Sequence, residues 1–307
     1  MTEPIIRSSD EQQQRPTTPT TQPTQPTQTP SDEELRKLLK PNPTHEQILS
    51  ALKRSFFPER CDLIIHKELD SYDDRNYVIE YNTFGEKYFY LLKVHNGVES
   101  QDVIAAMKGS DFFNCSPNSI IHLQHAILQH LNEKDIPVHI SEMLYEWDWN
   151  ISKPPPFFIE SLPVVSPDYS PRELALRVYR WLPGQPMSSV PMLPIETLAD
   201  AGCLLGRMDQ ELDAFDGNKY GAAKRFHQWD TKHTTCLRKF TKYITNPNRR
   251  QLVESIIETF QSQIIDSGLA STFRIGINHG DFNDANILIG NDYKVSGVID
   301  FGDSVER

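Results

Sequence analysis

Three features of the amino-acid sequence predict an α+β fold of two lobes meeting at a cleft. The first half is dense in β-branched and aromatic residues set out as hairpin strands. A Pro- and Gly-containing turn, LPGQPM at 182–187, marks a change of character, and the second half is a series of helical patterns closed by a short second hairpin. The expected division is a tail over 1–30, a first lobe with two leading helices over 31–182, and a second lobe over 183–307.

The tail contains TTPTTQPTQPTQTP, in which Pro, Thr and Gln alternate with no apolar side chain to bury. Ordering it would cost entropy without return, so disorder is expected. Structure should begin near Ser31, where SDEELRKLLK offers a capping serine and acids in the first turn. Pro41 and Pro43 end that helix, and Thr44 can cap a second, HEQILSALKRSFF. RNYVIEYNTF and EKYFYLLKVHN, separated by Gly85, read as a hairpin with Lys93 near the end of its second strand.

From Pro117 to Glu133 the apolar residues Ile120, Ile121, Ile127, Leu128 and Leu131 share one helical face. VHISEMLYEWDWN, a Pro-rich turn at 154–156 and FFIESLPVV follow; RELALRVYRWL then reads as a strand entering the turn at 182–187. Three helical patterns come next: LADAGCLLGRMDQELDAF, CLRKFTKYI and RRQLVESIIETFQSQII. INHGDFNDANILIGNDYKVSGVIDFGD closes the chain with short strands.

A formal net charge of -11 over 307 residues argues against a general nucleic-acid binder, which needs clustered Lys and Arg. It leaves room for a nucleotide, whose charge a single lysine and metal ions can neutralise. The four cysteines, Cys61, Cys115, Cys203 and Cys236, form no CxxC pair and read as thiols of a reducing compartment. No apolar run approaches the ~20 residues needed to span a membrane, and the N-terminus carries no secretory apolar core. The expected location is the cytoplasm, with no nucleic-acid, membrane or obligate protein partner.

The chemistry lies in His279-Gly280-Asp281, Asn286 and Ile299-Asp300-Phe301-Gly302-Asp303. The strands at 287–289 and 295–299 are joined by Gly290-Asn291-Asp292, a strong turn signal. A hairpin there places Asn286 beside Asp300, with Asp281 one short loop upstream. Three oxygen-bearing side chains then converge at the hairpin mouth, as phosphoryl transfer requires. Magnesium takes carboxylate and amide oxygens, and a carboxylate must orient the attacking hydroxyl and accept its proton. Kinases of the protein-kinase-like fold present an Asp-x-x-x-x-Asn loop and a later Asp-Phe-Gly. Asp281 matches the base, and Asn286 and Asp300 the metal ligands. His279 is expected to brace the loop backbone.

Lys93 becomes the natural phosphate-binding lysine of the first lobe. Such a lysine is normally held by a helix Glu, yet the facing position here is Gln124, with His122 one turn-face away, and neither is acidic. There is no GxGxxG, so LDSYDDRNYV must cover the phosphates with Ser71 and backbone amides. Asp230, beside Trp229, and Asp303 are candidates for receiving a cationic acceptor, although each also fits an ordinary loop-bracing acid.

INHGDFNDANILI and YKVSGVIDFGD resemble the aminoglycoside phosphotransferase superfamily, which has the bilobal protein-kinase-like fold. SYDDRNY, YLLKVHN, RVYRWLPGQPM and RRQLVESIIETF resemble its hydroxylysine kinase branch, the resemblance running over roughly 55 to 303. It implies Mg²⁺-dependent transfer of the γ-phosphoryl group of GTP (or ATP) to the hydroxyl of 5-hydroxy-L-lysine, in lysine and collagen breakdown. It also makes Trp181 to Gly184 the hinge, so that Trp181 and Leu182 would bind the base through their backbone. Other amino alcohols (homoserine, choline, an aminoglycoside) remain open as acceptors, as does an inactive nucleotide-binding form. The family continues past its DFGD motif with several helices, whereas this sequence ends at Arg307, so an incomplete second lobe is expected.

Overall fold

The computed structural model describes residues 32–57, 62–98, 100, 120–139, 158–159, 174–227 and 230–307. The tail over 1–30, Trp229, Cys61, Cys115, the Pro-rich turn at 154–156 and most of the two stretches around it lie outside the described residues.

Two helices lead into a sheet. α1 spans Asp32–Leu38 and α2 His45–Ser55. Thr44 caps α2 as the sequence predicts: its hydroxyl accepts from the Gln47 N–H at 3.2 Å, and the Gln47 side chain accepts from the Thr44 N–H at 2.8 Å. Strands β1 (Asp62–Leu69), β2 (Arg75–Thr83), β3 (Glu86–Val94), β4 (Phe158–Ile159) and β5 (Leu174–Arg180) form an antiparallel sheet in the order β1-β2-β3-β5-β4. The β2–β3 turn is Phe84-Gly85, both with positive φ (49° and 83°), the combination that a two-residue hairpin of right-handed twist demands. Its register, Thr83 opposite Glu86, carries along the strands to set Lys93 opposite Asn76.

Each face of this sheet is covered. On one side α2 buries Ile48, Ala51 and Leu52 against Ile79, Leu92, Leu176 and Val178. On the other lies α3 (Ile120–Asn132), whose Leu123, Ile127, Leu128 and Leu131 share a core with Tyr179 and with the second lobe. That second core includes Leu204, Met208 and Leu212 of α4 (Ile195–Asp213), Ile277, Val298 and Phe301. β5 is buried on both faces apart from Arg180, because it lies between the two cores.

Two small sheets build the second lobe's cleft edge. β6 (Gln185–Pro186), β8 (Ile287–Ile289) and β9 (Val295–Val298) pair in the order β6-β8-β9, and β7 (Ile277–Asn278) pairs with β10 (Val305–Glu306). The stretch 182–187, read from sequence as a turn, therefore contains a strand. Pro186 is tolerated because β6 is an edge strand, where a missing N–H breaks no ladder. Gly184, at φ 129°, allows the close approach: a Cβ there would stand 2.4 Å from Ser296 Oγ and 2.9 Å from the Ile289 carbonyl.

The stretch containing CLRKFTKYI adopts 3₁₀ rather than α geometry over Thr231–Tyr243. Within it Thr234 and Thr241 donate their hydroxyls to the carbonyls three residues back, at 2.5 and 3.1 Å. The last long helix, α5, spans Pro247–Phe260 with Asn246 as its cap.

Candidate active site

The site grows from β7. Immediately after it, Gly280 adopts φ 85°, and a Cβ there would lie 2.3 Å from the Asp303 carbonyl. Only glycine lets the chain pass this close to the 300–303 segment. His279 is fully buried beside it. Its Nε2–H donates to the Ile299 carbonyl at 2.9 Å, and its Nδ1 accepts from the Asp281 N–H at 3.2 Å. The imidazole thus ties the two halves of the motif together and braces the loop. Burial outweighs the pull of Asp300, Asp281 and Asp303, and holds its pKa below the ordinary value.

Asp281 is oriented by two amides. Asn283 Nδ2 donates to its Oδ1 at 2.8 Å, and Asn286 Nδ2 donates to its Oδ2 at 2.8 Å and its carbonyl at 2.9 Å. Asn286 sits at the hairpin mouth, since Ile287 pairs with Val298 and the Ile299 N–H donates to the Asn286 carbonyl at 3.0 Å. Asp300 follows on the opposing strand with φ 63°, a left-handed conformation that Asp adopts more readily than most residues. Its Oδ1 accepts from the Gly302 N–H at 3.3 Å. Asp281 and Asp300 are exposed, whereas Asn286 is buried.

These side chains offer hard oxygen donors. With its amide nitrogen committed to Asp281, Asn286 keeps its Oδ1 as the remaining side-chain oxygen. Among the described residues, no group of three or more His, Cys, Asp and Glu could hold a metal ion by itself. An amide and a carboxylate suit magnesium, which commonly takes one or two protein carboxylates and completes its shell with water and phosphate oxygens.

On the first-lobe side, Lys93 Nζ lies 2.8 Å from Asp74 Oδ2. Asp74 is buried in the β1–β2 loop and was not foreseen from sequence. The helix position expected to face the lysine, Gln124, instead accepts from Arg177 Nη1 at 2.7 Å; the side chain of His122 lies outside the described residues. Arg177 pairs with Lys93 in the β3–β5 register and stacks over Tyr179 with its guanidinium carbon 4.8 Å from the ring centre. Buried Tyr179 is where the two sides meet. Burial raises its pKa, and Arg177, Lys93, Asp300 and Asp74 all act on it electrostatically.

Ser71 is half-buried in the same β1–β2 loop, its carbonyl accepting from Lys40 Nζ at 3.0 Å. Trp181 and Leu182 are half-buried in the link from β5 to β6. The Trp181 N–H donates to the Phe89 carbonyl at 3.3 Å, and Leu182 packs on Gly297. Both acids considered for a cationic acceptor have local partners. Asp230 is buried, lies 2.8 Å from Lys232 Nζ and caps the 3₁₀ segment, while Asp303 Oδ1 lies 3.0 Å from His227 Nε2.

His139 is a further buried group that sequence reading missed. Its Nδ1–H donates to the Arg180 carbonyl at 3.1 Å, and its ring meets Tyr179 edge-on at 6.0 Å. Burial pushes its pKa from 6.5 down to about 4. The unfolded chain therefore binds this proton at a higher pH than the folded chain does, and stability falls as pH drops below 6.5. The loss should reach about 3 kcal/mol near pH 4. Urea denaturation of wild type and His139→Gln across that range should show the variant free of this part of the slope.

The chain belongs to the phosphotransferase enzyme family (APH), whose family model matches residues 67–305. Two curated relatives are hydroxylysine kinases. The Bos taurus protein is 32% identical over 154 residues, covering 47% of this chain and 40% of the relative. The Danio rerio protein is 25% identical over 270 residues, covering 86% and 66%. The chain thus spans less than two thirds of these relatives' length. Among solved structures, the GDP complex of wild-type aminoglycoside 2'-phosphotransferase-IIIa is similar with a TM-score of 0.54 at 15% identity, covering 86% of this chain and 75% of that one. The fold is accordingly the bilobal, protein-kinase-like one of the aminoglycoside phosphotransferases. Among the described residues no helix is long and apolar enough to cross a membrane.

Proposed function

We propose that this chain carries the catalytic machinery of a small-molecule kinase that moves the γ-phosphoryl group of GTP or ATP onto the side-chain hydroxyl of 5-hydroxy-L-lysine. The observation that carries this reading is the carboxylate of Asp281, fixed by Asn283 and Asn286 at the mouth of a hairpin whose other strand brings Asp300. The acceptor rests on the similarity to hydroxylysine kinases, and the GDP found in the similar solved structure favours a guanine nucleotide.

In this mechanism Asp281 receives the acceptor hydroxyl and takes its proton at a carboxylate oxygen as the oxygen attacks the γ-phosphorus, whose bond to the β-phosphate oxygen breaks to release the nucleoside diphosphate. Asn286 Oδ1 and Asp300 would hold magnesium, which when bound neutralises charge on the phosphates. Lys93 offsets further phosphate charge from the sheet side, and Ser71 with the loop amides covers the phosphates. The backbone of Trp181 and Leu182, in the link between the two lobes, holds the base. Their proposed boundary is this link, with the first lobe over 31–182 and the second over 183–307.

The test is a phosphotransfer assay over a panel of hydroxylysine, homoserine, choline and an aminoglycoside, with GTP and ATP each as donor. The expected result is a kcat/KM for hydroxylysine at least about tenfold above the others, a difference of roughly 1.4 kcal/mol in transition-state binding. Preference for another panel member would reassign the acceptor. Nucleotide binding without transfer to any of them would make the chain a nucleotide-binding protein only.

A further inference from the structure

The loop over the proposed phosphate site is held from a part of the chain that the family match leaves out. That match begins at residue 67, whereas Arg36 and Lys40 lie in and just after α1. Arg36 Nη1 stands 2.6 Å from Asp73 Oδ2, and Lys40 Nζ donates to the carbonyls of Ser71 and Tyr72, both at 3.0 Å. Asn96, fully buried just past β3, joins the pieces. Its Nδ2 donates to the Arg36 carbonyl at 2.8 Å and the Asp73 carbonyl at 3.1 Å, and its backbone N–H donates to Asp74 Oδ1 at 2.7 Å.

The other oxygen of Asp74 meets Lys93 Nζ at 2.8 Å. Packing seals the join: Leu39 is fully buried, its carbonyl accepts from the Gly97 N–H at 3.0 Å, and a Cβ at Gly97 would stand 2.9 Å from Leu39 Cβ. A chain of direct contacts thus runs from the leading helix through the loop to the lysine.

We propose that Asp74 is the positioning residue of Lys93, and that Arg36 and Lys40 form a strap that sets Asp74 from outside the family core. The proposal rests on the reading of Lys93 as the phosphate lysine. A lysine stem is long and flexible, and holding it costs rotamer entropy. A buried carboxylate that fixes the ammonium during folding removes that cost from nucleotide binding. Asp74 can play this part because its Oδ1 is itself fixed by a buried backbone N–H.

The test uses the full chain and calorimetric binding of Mg²⁺–GTP and Mg²⁺–ATP, with GMP and AMP as probes that lack the outer phosphates. Lys93→Met and Asp74→Asn should each weaken the tighter triphosphate by about tenfold or more, and its monophosphate by less than about threefold. Asp74→Glu, which keeps the charge, should recover part of the loss. Lys40→Met combined with Arg36→Met leaves the core untouched and should weaken the triphosphate by about three- to tenfold. Equal losses of triphosphate and monophosphate in Asp74→Asn would mark a merely structural residue and overturn the proposal. So would weakened binding in Lys93→Met beside wild-type binding in Asp74→Asn or in the strap variant. Unchanged binding in Lys93→Met would remove the reading of Lys93, and the proposal with it.

Discussion

Replacing Asp281 by Asn is expected to lower turnover by about 10²–10⁴-fold, roughly 3–5 kcal/mol of barrier, while nucleotide affinity changes by less than about threefold. The asymmetry follows from where the carboxylate sits. Asn283 and Asn286 hold both of its oxygens by neutral amide donors, so the group is aimed by the loop rather than by the nucleotide. An Asn at 281 keeps the shape and one acceptor oxygen but loses the charge and the capacity to take a proton. Its own amide nitrogen must face one of the two donors, so a modest stability loss of about 1 kcal/mol should accompany the kinetic one. Turnover and nucleotide binding measured on the same preparation separate the two effects. Normal turnover would refute the base assignment, and an equal loss of nucleotide binding would make Asp281 a binding or folding residue.

The second large effect is expected at Asp300. Its carboxylate is the charged one of the two proposed magnesium ligands, so neutralising it should abolish the metal-dependent part of nucleotide binding. A nucleotide at about one hundred times its Kd stabilises a protein by roughly 2.7 kcal/mol, and in wild type that gain should require Mg²⁺. Asp300→Asn is the informative variant because the position has φ 63°, which Asn tolerates and Ala does so only with strain. Thermal shift with nucleotide, with and without Mg²⁺, should show no metal-dependent gain in the variant. A wild-type response would remove Asp300 from the metal site.

Much of this site is legible before folding is considered, because its residues are local. Gly290-Asn291-Asp292 announces a hairpin whose open end brings Asn286 near Asp300, although the observed register, Ile287 opposite Val298, includes a one-residue shift between Leu288 and Ile289 that counting from the turn does not supply. The β2–β3 hairpin is legible for the same reason. Counting from Phe84-Gly85 sets Lys93 against Asn76, and Asp74 lies two residues further along the chain. Spacing alone does not single out Asp74, because it lies in the loop before β2, where Asp70 and Asp73 are acids too. Arg177–Gln124 and the buried His139 were beyond sequence reading. Each depends on β5 lying beside β3 and on α3 packing across them, contacts between segments 41 or more residues apart. The 3₁₀ course of Thr231–Tyr243 is not legible because its apolar spacing suits either kind of helix.

The most direct measurement is a single-turnover reaction with γ-labelled GTP, hydroxylysine and magnesium, the product identified by mass. The expected product is hydroxylysine carrying one labelled phosphoryl group on its side-chain hydroxyl, formed by wild type and slowed by about 10²–10⁴-fold in Asp281→Asn. Label released only as inorganic phosphate, or transferred equally fast by both proteins, would contradict it.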